Sequence, residues 1–166
     1  MLDAIVRYLH SSRVPFRLAS YPSEEVEPKV AHPLTDGAVL VTSRFLVVDG
    51  RLVLASTAAS DHLDLRAVSA ELGGNAIEAA AEDLPEALMR GQGTGEIPPL
   101  GQLYGVPLVV DERIAEASMI AFAVFGSDFI EIAYEDFSRQ EQPLVASIVR
   151  AGELGPAPRA PRPSAS

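Results

Sequence analysis

The feature that most narrows the fold is a pair of apolar runs, Val39 to Val48 and Leu52 to Ser56, set around Asp49-Gly50. A two-residue connection of this kind needs positive φ at both positions, which aspartate tolerates and glycine adopts freely, so it marks a tight antiparallel hairpin. Two long apolar arms are not stable alone in water and must join a larger sheet that buries at least one of their faces.

The rest of the chain supplies that sheet and its cover. Leu2, Ile5, Val6 and Leu9 have helical spacing and present one buried face. Pro15 ends that pattern, and Phe16-Arg17-Leu18 reads as a short strand. Pro22 to Asp36 is acidic and proline-punctuated, with one or two helical turns expected between Glu24 and Ala31. Asp64 to Leu72 reads as a helix capped by Asp61 or Asp64, turned inward at Leu65, Val68 and Leu72, and stopped by Gly73-Gly74. A short strand at Ala76 to Ala79 and a helix from Glu82 to Met89, with Pro85 in its first turn, come next. Gly91 to Gly105 reads as a loop, followed by strands at Leu108 to Val110, Met119 to Phe125 and Phe129 to Ala133, the last two joined by a hairpin at Gly126-Ser127-Asp128. A final helix is expected over Phe137 to Val149. Strands joined by both hairpins and helices imply a mixed sheet of α+β class in one domain, residues 1–150. Residues 151–166, rich in proline and alanine, read as a disordered tail.

Several chemistries are excluded at once. The chain has no cysteine, so disulfides, thiolate nucleophiles and sulfur-ligated metals are ruled out. It lacks a G-x-S-x-G elbow, an H-E-x-x-H motif and a phosphate-binding G-x-x-x-x-G-K. His10, His32 and His62 lie in different segments, and none is spaced with an acid for metal binding; a solvated or capping role fits each, with His62 the best placed to touch a ligand. No metal and no cofactor is expected. The net charge of −10 argues against a long track along nucleic acid, DNA included, because such binding depends on cations that neutralise phosphates. No apolar run is long enough to span a membrane, and no signal-peptide pattern opens the chain, so a cytoplasmic location is expected.

The segment Gly95-Glu96-Ile97-Pro98-Pro99-Leu100-Gly101, followed by Leu103-Tyr104-Gly105-Val106-Pro107, holds the most chemistry. Prolines stiffen the loop, glycines let backbone approach a ligand, and backbone N–H groups there could donate to a carbonyl as it becomes an oxyanion. On composition alone a plain tight loop joining a helix to a strand is the better account. The segment resembles the signature loop of the YbaK / prolyl-tRNA-synthetase-associated family. The hairpin Phe45 to Ala55, Leu63-Asp64-Leu65, Glu71-Leu72-Gly73, Ile130-Glu131-Ile132 and Asp136-Phe137 follow the family's order, so the resemblance runs over about residues 2–150.

That resemblance implies a partly barrel-like mixed sheet with surrounding helices. It also implies an aminoacyl-tRNA deacylase that cleaves a wrong, small amino acid from the tRNA 3′ end with a water oriented by substrate and backbone. The catalytic positions would be Gly95, opening the G-x-x-x-P core, and Arg44, which stands where the family usually has lysine. The substrate-binding positions would be Tyr21, Ile97, Pro98, Pro99, Gly101, Gly126 and Ser127. Arginine keeps the charge of the family's lysine but spreads it over a larger plane. A surface strand residue paired with Asp49 or Glu131 is the competing reading of Arg44. The partner implied is the 3′ end of aminoacyl-tRNA, held weakly through few contacts. Two other functions stay open: a module of the same fold that binds a small ligand or a protein without catalysis, and a serine esterase, although Ser43, Ser56 and Ser127 have no base beside them in the sequence.

Overall fold

The computed structural model describes residues 2–20, 34–85, 97–125 and 128–150. It shows an α+β architecture in which, among the described residues, an eight-stranded mixed sheet is covered by five α-helices. The strands are β1 (Arg17–Ser20), β2 (Val39–Val48), β3 (Arg51–Ala58), β4 (Ala76–Glu78), β5 (Leu108–Asp111), β6 (Met119–Phe125), β7 (Asp128–Ala133) and β8 (Leu144–Ala146). The helices are α1 (Leu2–Ser11), α2 (Leu65–Leu72), α3 (Gly101–Tyr104), α4 (Glu112–Ala115) and α5 (Tyr134–Glu141). The strand order is β1-β7-β6-β2-β3-β5-β8, with β4 added to β2.

The hairpin forms as its turn residues require. Asp49 and Gly50 have φ of 50° and 81°, and the ladder runs without a slip from Val48↔Arg51 to Val41↔Ala58. Strand β2 then serves two neighbours on its other edge, pairing parallel with β6 at Val39 and Leu40 and antiparallel with β4 from Leu46 to Val48. This division lets the sheet curl. Its inner face encloses the larger core, where Ile5 and Leu9 of α1 meet Phe45, Leu54, Ile120 and Phe137. Its outer face around β2, β3 and β5 carries a second core of Leu46, Val53, Ala55, Val109 and Ile148, covered by Val68 of α2.

Helix α2 begins where Asp64 accepts a hydrogen bond from the Arg66 N–H at 3.0 Å, a cap that contributes about 1 kcal/mol, and ends at Gly73 in the left-handed conformation. The first helix, the β1 strand, the hairpin, α2, β4 and the β5, β6 and β7 strands all stand where the sequence places them, to within a few residues.

Four elements differ. Residues Ala81–Asp83 form a 3₁₀ turn, and Leu84 is already extended (φ −76°, ψ 150°), so no helix starts at Glu82; the residue before Pro85 is pushed out of the helical region by the proline ring. The stretch Gly101–Tyr104, expected as loop, is helix α3. Helix α4, which the sequence reading missed, follows β5 because Asp111 caps it, accepting from the Arg113 N–H at 3.0 Å. The last helix begins earlier than expected and ends at Glu141, and Leu144–Ala146 is strand instead. Gln142 turns left-handed (φ 47°) ahead of Pro143, which has no N–H to continue the helix. The helical turns expected at 24–31, the second half of the expected 82–89 helix, the turn at 126–127 and the tail at 151–166 lie outside the described residues.

Candidate functional site

Strand alternation decides what Arg44 can meet. Along β2 successive side chains point to opposite faces, and Arg44 faces the same way as its cross-strand partner Ala55, which belongs to the outer core. Phe45 points inward with its partner Leu54. Arg44 therefore lies on the outer face, at the border of two adjoining hollows. One, of about 560 Å³, is lined by Arg44, Leu63, Asp64, Arg66, Glu78 and Arg150 among others. The other, of about 180 Å³, shares Arg44, Leu63 and Arg150 with it and adds Thr42, Thr57 and His62.

The Arg44 guanidinium donates to Glu78 of β4 at 2.9 Å, with side chains 64% and 59% exposed. So exposed a pair contributes at most about 1 kcal/mol and opens readily. The partner is thus Glu78 rather than Asp49 or Glu131. Asp49 accepts the Asn75 N–H at 2.9 Å, and Glu131 is taken by Arg17. Asp61 pairs with Arg113 at 3.3 Å.

The described end of the glycine-proline loop lies on the other face. Ile97 is half-buried and packs against the inner core; Pro98, Pro99, Leu100 and Gly101 are buried. A Cβ at Gly101 would come within 2.6 Å of the Val106 carbonyl oxygen, so glycine is required there for the chain to pass. Tyr104, closing α3, packs edge-to-face on Phe45 with ring centroids 5.4 Å apart. Its hydroxyl is buried without a partner among the described residues, and burial pushes its pKa up to about 12, which keeps it protonated and unsuited to act as a base. Among the described residues, the Arg44 side chain lies on the outer face of β2, whereas Ile97 and Leu100 pack with the inner core. Tyr21, Gly95, Gly126 and Ser127 lie outside the described residues.

Helix α3 is tied down by a buried carboxylate. Glu141 of α5 accepts the Gln102 N–H at 3.0 Å and the Tyr8 hydroxyl of α1. Burial raises the Glu141 carboxyl, although both hydrogen bonds act to lower it, and burial together with Glu141 also raises the Tyr8 hydroxyl.

The serine candidates gain no base. Ser43 and Ser56 hydrogen-bond to one another at 2.7 Å, with Ser56 fully buried. His10 packs edge-to-face on Phe16, and His62 stands exposed beside the Arg44 hollow; His32 lies outside the described residues. No group of three or more metal-ligating side chains occurs among the described residues, and no described helix is long and apolar enough to cross a membrane. The sequence reading missed Glu78, Arg66 and Arg150. Nothing local marks them, since strand pairing and the return of the chain after β8 bring them to Arg44.

The aminoacyl-tRNA editing domain family matches residues 26–128, a span that includes Arg44 and the glycine-proline loop. The chain belongs to this family. No curated protein matches it. Among solved structures it is similar in fold to a provisionally assigned signal transduction protein from Marinobacter aquaeolei VT8 (TM-score 0.70, 21% identity), covering 89% of this chain but only 30% of that one. The hypothetical protein APE2540 (TM-score 0.66, 13% identity) is covered over 89% of this chain and 99% of its own length. A provisionally assigned trans-editing enzyme for prolyl tRNA synthetase (TM-score 0.60, 15% identity) is covered over 90% and 96% respectively. At these identities the likeness is one of fold.

Proposed function

We propose that this protein is a trans-editing hydrolase that removes a wrongly attached small amino acid from the 3′ end of tRNA in the cytoplasm. The observation that carries this reading is membership of the aminoacyl-tRNA editing family over a span that holds both Arg44 and Gly95. In the reaction, water attacks the ester carbonyl carbon and the carbonyl oxygen takes up negative charge. The intermediate then collapses: the carbonyl double bond re-forms, the bond from the carbonyl carbon to the ribose oxygen breaks, and that oxygen leaves with the electron pair and takes up the proton lost by the water, releasing free amino acid. Arg44 holds the 3′ end through a phosphate, exchanging Glu78 for the substrate. Backbone N–H groups of the loop, beginning at Gly95, stabilise the oxyanion, worth about 3 kcal/mol per well-placed donor. The buried stretch Pro98 to Gly101 anchors that loop from below, which gives these residues a supporting part and leaves Ile97, Tyr21, Gly126 and Ser127 as the proposed pocket wall.

A panel of tRNAs charged with non-cognate small amino acids, assayed at fixed salt, tests the reading. Wild type is expected to deacylate at least one, Arg44→Ala to lose ten-fold or more in kcat/KM with an unchanged circular dichroism spectrum, and Arg44→Lys to retain activity. A second reading, a ligand-binding module without catalysis, is favoured by the engagement of Arg44 with Glu78. It takes over if no charged tRNA is hydrolysed by wild type.

A further inference from the structure

Three arginines from distant parts of the chain border the joined hollow beside β2: Arg44 from the hairpin, Arg66 from the first turn of α2, and Arg150 from the segment after β8. Of the acids around them, Glu78 is paired with Arg44 and Asp61 with Arg113, while Asp64, which lines the same hollow, spends one carboxylate oxygen on the Arg66 backbone N–H. Arg66 and Arg150 have no carboxylate partner among the described residues. Two exposed guanidiniums without a salt-bridge partner thus share one hollow in a chain whose net charge is −10.

Arg150 is also held in place. Leu63 and Val149 form an antiparallel bridge, the Arg150 N–H donates to the His62 carbonyl at 2.8 Å, and the Asp64 N–H donates to the Ile148 carbonyl at 2.8 Å. Below them the buried Asp111 carboxylate, 1% exposed, accepts the Ile148 N–H at 3.0 Å. The backbone that carries Arg150 is thereby fixed against the start of α2, which carries Arg66.

We propose that Arg66 and Arg150 form a second phosphate subsite, which binds the phosphodiester upstream of the terminal nucleotide of a single-stranded RNA 3′ end, while Arg44 takes the terminal one. Glu78 acts as an electrostatic gate: it must release Arg44 before the terminal phosphate can bind. This inference rests on the editing reading for the identity of the RNA. It goes beyond that reading in naming two further cations, and in giving the carboxylate that holds Arg44 the part of a gate.

The probe is a short fluorescent single-stranded RNA ending in CCA, titrated by anisotropy over a range of salt, with inorganic pyrophosphate as competitor and deacylation followed in parallel. Arg66→Ala and Arg150→Ala are each expected to weaken RNA binding several-fold and to flatten the slope of log K against log salt by about 0.7, the loss of one contact to single-stranded nucleic acid. Glu78→Gln is expected to tighten binding by up to about five-fold, the worth of one exposed ion pair. Unchanged affinity and slope in both arginine variants, with intact circular dichroism, would overturn the subsite. If pyrophosphate binds as tightly as the RNA and displaces it fully, the hollow is a site for free phosphates and the RNA assignment fails. RNA binding that depends on Arg66 and Arg150 while wild type deacylates nothing keeps the subsite and discards the hydrolase. Deacylation that persists with RNA binding indifferent to both arginines does the reverse.

Discussion

Glu131→Ala removes a carboxylate that is wholly buried on β7. In the folded protein that carboxylate accepts the Arg17 Nε–H at 2.7 Å, the Thr35 backbone N–H at 2.6 Å and the Thr35 hydroxyl at 3.0 Å, with Arg17 Nη2 at 2.6 Å. It thus joins β1, β7 and the residues that lead into β2. Removing one member of a buried ion pair costs about 3–5 kcal/mol, and the Arg17 side chain, 38% exposed, recovers part of its hydration, which sets the expected loss at about 3 kcal/mol. For a chain of this size that loss lowers Tm by roughly 6–12 °C. Burial alone would raise the Glu131 carboxyl, but the Thr35 amide and the Arg17 guanidinium together outweigh it and hold it below the usual range. With its folded pKa below its unfolded one, its contribution is complete above the unfolded value of about 4.3 and is lost as pH falls through the folded value. Urea denaturation of wild type and Glu131→Gln between pH 7 and pH 2 reads this directly. The stability gap should be widest at pH 7 and close on acidification. A gap that stays constant across that range, or an alanine variant that loses less than about 1 kcal/mol, would refute the reasoning.

Gly101→Ala forces a methyl group to within 2.6 Å of the Val106 carbonyl oxygen, part of the backbone, and should cost about 2 kcal/mol in a thermal melt; an unchanged Tm would show that the passage is looser than described. Glu141→Gln tests the opposite pH sign. The Glu141 carboxyl is raised mainly by burial, so the wild-type protein loses stability as pH climbs from the unfolded to the folded pKa. The amide can still accept from the Gln102 N–H and donate to Tyr8, so the variant should gain on wild type as pH rises above the unfolded carboxyl value of about 4.3. A variant that falls further behind at pH 7 would count against it.

The turn and cap chemistry was legible in the residues themselves. Asp49-Gly50 defined the hairpin, Asp64 and Gly73 bounded α2, and the spacing of Ile5 and Leu9 gave the buried side of α1. Each signal lies within a few residues of the element it shapes. The same locality explains the misses. Leu144–Ala146 sits in an apolar stretch that suits helix or strand alike, and only the free edge of β5 selects strand. At Gly101–Tyr104 two glycines hid a helix whose N–H groups are satisfied partly by Glu141, far away in sequence.

The candidate site divides in the same way. The glycine-proline segment could be singled out through the backbone freedom of its residues, whereas Arg44 was singled out by its position in the family resemblance. Whether they meet was a question of register. One residue along β2 separates Arg44, on the outer face, from Phe45, which turns inward toward Tyr104 and the loop. The grouping of Arg44 with Glu78, Arg66 and Arg150 was likewise settled only when strand pairing and the bridge at Val149 brought remote segments together. Local conformation follows from short-range sterics and hydrogen bonding, whereas these neighbours are chosen by which apolar faces the whole sheet can bury.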